Sequence, residues 1–88
     1  MNQPSQLTPN EAIVLQQVHE DGEDDTRTLA QQLGMSRQHI LTIIERLKSK
    51  GLVAIDSSLD GLWVRLTRKG QHIMRQLWPE AHGAFTIV

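Results

Sequence analysis

The sequence predicts a mainly α-helical domain with one small β-hairpin, in the order helix, helix, turn, helix, hairpin, helix. Three observations carry that prediction. In "SRQHILTIIERLKSKG" the apolar residues Ile40, Ile43, Ile44 and Leu47 fall at i, i+3, i+4 and i+7, the spacing of one buried helix face. A shorter helical phrase, "TRTLAQQLG", ends just before it, leaving only a tight turn between the two. After Gly51 the period changes: "LVAID" and "LWVRLT" read as strands on either side of "SSLDG", which is turn chemistry.

The elements follow in order. "TPNEAIVLQQVHE" opens with a helix-start signal, because Thr8 can cap, Pro9 suits the first helical position and Glu11 sits where a capping-box partner belongs. Ile13, Val14, Val18 and Leu15 supply its apolar stripe, and the helix is expected to end at the acidic, turn-rich "EDGEDD". Asp25 or Thr26 caps the second helix; Leu29, Ala30 and Leu33 face inward, and Gly34 supplies the positive φ that stops it. Ser36 caps the third helix by offering its hydroxyl to an otherwise orphan amide, and Gly51 ends it. In the second strand Leu62, Val64 and Leu66 share one face, and Trp63, Arg65 and Thr67 the other. Thr67 caps the last helix, whose apolar face is Ile73, Met74, Leu77 and Trp78. The expected boundaries are a disordered N-terminus over 1–7, a winged-helix domain over 8–79 and a C-terminal tail over 80–88. A helix pair joined by a tight turn and followed by a hairpin is a winged helix-turn-helix.

An 88-residue chain accommodates one small domain with one modest core. The absence of cysteine excludes a disulfide framework and thiolate metal sites. No apolar run approaches the roughly 20 residues that span a bilayer, and "MNQPSQ" is polar and uncharged, unlike a signal peptide. A soluble cytoplasmic protein without membrane association is the expectation. Formal net charge is -1, but it is unevenly spread. Residues 1–26 hold Glu11, Glu20, Asp21, Glu23, Asp24 and Asp25 with no Lys or Arg. All nine basic residues fall in 27–88, against Glu45, Asp56, Asp60 and Glu80. That asymmetry points to a basic and an acidic face; a merely solvated charge pattern is the bland alternative.

"LAQQLGMSRQHILTIIERLKSKGLV" followed by "VRLTRKGQHIMRQL" resembles the winged-helix DNA-binding domain of MarR-type regulators over roughly residues 8–78. The marks are Leu29-Ala30 with Leu33-Gly34, Ser36-Arg37, Leu47 with Lys50-Gly51-Leu52-Val53, and Leu66-Thr67 with Lys69-Gly70. The resemblance implies a transcriptional regulator that binds double-stranded DNA. The chain departs from the family pattern in three ways. The extra terminal helices that build the family's dimer are missing or reduced to the last dozen residues. The wing tip, Ser57-Ser58-Leu59-Asp60-Gly61, has no basic residue. Leu41 and Thr42 stand where the family often has Thr then Arg.

In a winged helix the tight turn sets the third helix across the second, so that its start can enter a major groove. The recognition helix is then about 36–50, and its first turn carries Ser36, Arg37, Gln38 and His39. Arg37 suits guanine or a phosphate, and the Gln38 amide, donor and acceptor at once, suits adenine. Ser36 and the helix N-terminus favour a nearby phosphate. Thr42 and Arg46 are secondary contacts, and Arg65 on the wing reaches a phosphate or the minor groove. Glu45 would repel phosphate and is expected to pair with Lys48 or Arg46. Leu41 either touches a thymine methyl or marks a protein-binding surface. A first helical turn is also often polar simply because it is solvated.

A single module buries little surface, so a homodimer on a palindromic site is expected, with Trp78, Phe85, Ile87 and Val88 as its surface. The rival reading is a protein-interaction module that does not bind DNA, suggested by the neutral charge, the non-basic wing tip and an exposed Trp63 and Leu41. His19, His39, His72 and His82 lack the spacing of a zinc site. "EDGEDD" lacks the spaced ligands of a calcium loop; it reads as a solvated loop or a surface facing away from DNA. No catalytic constellation, metal site or cofactor motif stands out, so no enzymatic activity and no cofactor are expected.

Overall fold

The computed structural model describes residues 7–77. They form α1 (Pro9–Asp21), β1 (Asp24–Asp25), α2 (Thr26–Leu33), α3 (Arg37–Ser49), β2 (Val53–Ser58), β3 (Gly61–Leu66) and α4 (Arg68–Leu77). The three-stranded antiparallel sheet has the order β1-β3-β2. This is the winged helix-turn-helix the sequence predicts, with a third strand added.

The helices start where short-range chemistry satisfies their orphan amides. At α1 the Glu11 amide donates to Thr8 Oγ1 at 3.1 Å and the Thr8 amide to Glu11 Oε1 at 3.2 Å, a complete capping box. Asp25, rather than Thr26, caps α2 by accepting from the Thr28 amide at 2.8 Å. That amide holds the Asp25 carboxyl below its ordinary range, since the bond favours the charged form. Ser36 caps α3 by accepting from the His39 amide at 3.1 Å. Gly34 ends α2 in the left-handed region, at φ 65°.

One core joins all the elements except β1: Val14, Leu15 and Val18 of α1, Leu29 of α2, Ile40, Ile43, Ile44 and Leu47 of α3, with Leu52, Val53, Val64, Leu66, Ile73 and Met74. Ala30, Leu33 and Leu7 pack against it from the side. Ile13 does not belong to the stripe. It is 44% exposed, whereas Leu15 is fully buried. The buried positions of α1 are 11, 14, 15 and 18, a helical i, i+3, i+4, i+7 set that excludes 13.

That set begins with a carboxylate. Glu11 is 2% exposed, and the Lys50 ammonium at the end of α3 donates to its Oε1 at 2.8 Å. Burial pushes the Glu11 carboxyl up, but Lys50, the Thr8 amide and the charge of Arg46 together bring it below its usual value. The bond ties the start of α1 to the end of α3 across 39 residues of sequence.

The acidic run after α1 is not simply a solvated loop facing away from the wing. Asp24 pairs with Val64 and Asp25 with Trp63, so the run lies along the hairpin's sheet. Strand alternation turns Asp24 to the core face beside Val64, where it is 6% exposed and its Oδ2 has no hydrogen-bond partner among the described residues. Burial, reinforced by contact with Asp21 and by the charges of Asp21 and Asp25, pushes the Asp24 carboxyl up to about 7.

The hairpin turn is shorter than the sequence suggests. Ser58 still pairs with Gly61, which leaves only Leu59 and Asp60 in the turn. Trp63 is half-buried rather than exposed, because its cross-strand neighbours are Asp25 on one side and Asp56 on the other. At the other end of β3, Thr67 Oγ1 donates to the Gly51 carbonyl at 2.6 Å and accepts from the Gly70 amide at 3.0 Å. The Thr67 amide donates to the Leu52 carbonyl at 3.0 Å. This knot brings the backbone of α4 so close to Leu52 that only glycine fits at position 70.

Candidate nucleic-acid interface

The buried stripe of α3 fixes which of its residues face outward. With Ile40, Ile43, Ile44 and Leu47 in the core, the opposite line of the helix is Gln38, Thr42, Glu45 and Ser49, spaced four, three and four residues apart and all exposed. His39 and Arg46 flank this line on one side, and Arg37, Leu41 and Lys48 on the other. Leu41 is half-buried rather than exposed. The sequence-predicted residues therefore divide. Gln38 and Thr42 lie on the centre line, Arg37, His39 and Arg46 are exposed beside it, and Ser36 sits at the cap.

The polar chemistry of this face is specific. Thr42 Oγ1 donates its proton to the Gln38 carbonyl at 3.1 Å, which leaves the hydroxyl oxygen as an acceptor and the methyl group free. Ser36 Oγ accepts from the His39 amide, so its own proton remains available for donation. Glu45 has no ion pair to Lys48, Arg46 or any other described residue, contrary to the pairing expected from its neighbours. Glu45, whose charge alone predicts repulsion of phosphate, and Ser49, which has no sequence signal beyond its spacing, stand at i+7 and i+11 from Gln38 on this line.

Arg65 stands on the hairpin, not on α3. Its Nε lies 3.7 Å from Asp56 Oδ2, with the two side chains 52% and 63% exposed. An ion pair this open and this long contributes little to stability, but it places a carboxylate beside the wing's only cation. At the tip, Leu59 projects entirely into solvent, and Asp60 is exposed. Trp78, Phe85, Ile87 and Val88 lie outside the described residues. Among the described residues no helix is long and apolar enough to cross a membrane, and no group of three or more His, Asp or Glu is placed to hold a metal ion.

Comparison with known proteins bears on this geometry. No curated protein matches the chain by sequence. Solved structures share the fold. A MarR family protein from Bacillus stearothermophilus superposes with a TM-score of 0.78 at 21% identity, covering 91% of this chain and 57% of its own. The oxidized form of MarR from E. coli gives 0.80 at 24%, covering 86% and 56%. BpsR of Bordetella bronchiseptica, whose DNA binding is regulated by 6-hydroxynicotinic acid, gives 0.78 at 23%, covering 93% and 60%. The chain thus spans little more than half the length of these proteins. The MarR family profile matches residues 5–61, well over half of the sequence and all of α1 through β2. Because that match covers more than half of the sequence, the chain belongs to the MarR family.

Proposed function

We propose that this chain is the DNA-reading part of a transcriptional regulator and binds double-stranded DNA sequence-specifically. α3 enters the major groove, and the hairpin lies over the adjacent backbone. The observation that carries the reading is the outward line of α3: polar, exposed and held rigidly by a fully buried opposite face. Arg37 and Arg46 flank that line as phosphate or guanine contacts, Gln38 reads a base edge, and Thr42 offers its methyl group. Ser36 donates to a phosphate at the helix start, His39 lies beside it, and Arg65 serves as a backbone contact from the wing. A regulator of this kind works in the cytoplasm, without enzymatic activity. It reads a palindromic site as a homodimer, its half-sites about 34 Å apart, with Trp78, Phe85, Ile87 and Val88 on the dimer surface.

Fluorescence anisotropy of a labelled duplex, titrated at several salt concentrations, tests the reading. Binding should weaken log-linearly with salt. Arg37→Ala is expected to lower affinity about ten-fold and to reduce the salt slope by about one, as for a lost phosphate contact; Gln38→Ala is expected to alter the preferred sequence instead. Absence of binding at low salt would sink the proposal.

A second reading, a protein-interaction module, is favoured by one observation. The wing presents a fully exposed Leu59 and no unpaired cation among the described residues. Under that reading Leu59→Ser abolishes partner binding, and Arg37→Ala changes nothing.

A further inference from the structure

We infer that Glu45 is a specificity determinant that selects a cytosine in the major groove, an inference that rests on the DNA-binding reading above. Glu45 lies on the centre line of the outward face of α3, seven residues from Gln38 and three from Thr42, directly opposite the buried Ile43, Ile44 and Leu47. Any groove that receives Gln38 and Thr42 along the helix axis receives Glu45 as well, about 10 Å further on at 1.5 Å per residue.

The chemistry then narrows the base. An ionised carboxylate is acceptor-only. With no ion pair inside the chain among the described residues, Glu45 needs a donor from whatever covers it. Thr42 adds a second acceptor beside it, since its proton is committed to the Gln38 carbonyl. Guanine and thymine present acceptors on their major-groove edges, and adenine couples its amine to the N7 acceptor. Cytosine alone presents a donor, the N4 amine, with no acceptor. The flanking cations Arg37, Arg46 and Lys48 lie to the two sides of the line, where the phosphate strands run, and offset the charge that the carboxylate brings near the backbone. The repulsion that makes Glu45 look unsuited to DNA thereby becomes discrimination, because guanine and thymine set only acceptors against a desolvated carboxylate and adenine sets N7 beside its amine.

The test is selection of bound duplexes from a random-sequence pool by the full chain, for wild type, Glu45→Ala and Glu45→Gln, followed by anisotropy on single-base variants of the best site. Both substitutions fall on an exposed helix position and use good helix formers, and equal thermal midpoints confirm that the variants fold. The expected result is a motif with an invariant cytosine that Glu45→Ala flattens at that position alone, reducing the preference for it at least five-fold. Glu45→Gln should move the same position toward adenine, which a carboxamide reads through N6 and N7. A motif left unchanged by Glu45→Ala, with every site bound more tightly by one common factor, would show charge repulsion alone and overturn the inference. If wild type and both variants bind no duplex at low salt, the DNA-binding reading fails and takes the inference with it.

Discussion

Gly70→Ala is expected to lower the stability of the domain by about 3 kcal/mol, the upper end of what overpacking ordinarily costs. A Cβ at position 70 would lie 2.1 Å from the Leu52 carbonyl oxygen and 3.1 Å from its carbon. Neither is a flexible side-chain tip that could swing away. Relief requires the start of α4 to move off the Leu52 backbone, and the bond from the Thr67 amide to that same carbonyl would stretch with it. For a domain of this size the loss corresponds to a fall of roughly 12–24 °C in Tm. Gly34→Ala is the informative control. Its φ of 65° strains any side chain, but nothing lies within 4 Å of the added carbon, so only about 1 kcal/mol should be lost. Thermal unfolding followed by circular dichroism ranks the two, and an equal or smaller loss at Gly70 would refute the close-approach account.

The second large effect is a pH dependence carried by Asp24. In the unfolded chain its carboxyl titrates near the ordinary 3.8, whereas burial first, and then Asp21 and Asp25, hold it at about 7 in the fold. Between roughly pH 4 and pH 7 the folded state therefore keeps a proton that the unfolded state has released. Stability falls as pH rises through that window, by up to about 1.4 kcal/mol per unit, and the contribution is gone above pH 7. Glu11, Asp21 and Asp25 have lowered values and act with the opposite sign; their stabilisation is lost in acid. Comparison with Asp24→Asn separates the two. The amide cannot ionise, so the variant should equal or trail wild type near pH 4.5 and exceed it at pH 8, by on the order of 3 kcal/mol. Denaturant midpoints measured across pH 4–9 give the difference directly. Parallel curves for the two proteins would mean that Asp24 ionises freely in the fold.

These two positions also mark where sequence reading reaches its limit. The caps Thr8, Ser36 and Thr67, the stop at Gly34 and the buried stripe of α3 were all legible, because each depends on residues within a turn or two of one another. Asp24 was not. A two-residue strand has no periodicity, and its partner Val64 lies 40 positions away. Glu11 was read correctly as half of a capping box, but its burial against Lys50 depends on a partner 39 residues distant. Lys69-Gly70 stands out in the sequence as a family mark, yet the reason for the glycine, the Leu52 carbonyl, emerges only when α4 is laid across the start of β2. The candidate interface was half legible. The first turn of α3 announces itself by its polarity, whereas Glu45 and Ser49 required the helix to be turned face-on. The charge of Glu45 points away from a phosphate-binding role.

The short length of β1 has a consequence for how these molecules behave in company. It covers β3 only at Trp63 and Val64. Towards the tip, Gly61 and Leu62 on one side and the outer margin of β2 on the other are left without a neighbouring strand among the described residues. Such margins invite a strand from another molecule, and a hairpin open on both sides is a site for runaway stacking. Here the vulnerable stretch is only a few residues long. Asp56, Ser57, Ser58 and Asp60 occupy it, so that two copies brought together tip to tip would set carboxylates against each other. These acids set like charge against edge-to-edge pairing, and exchanging Asp56 for valine is expected to leave a more adhesive edge.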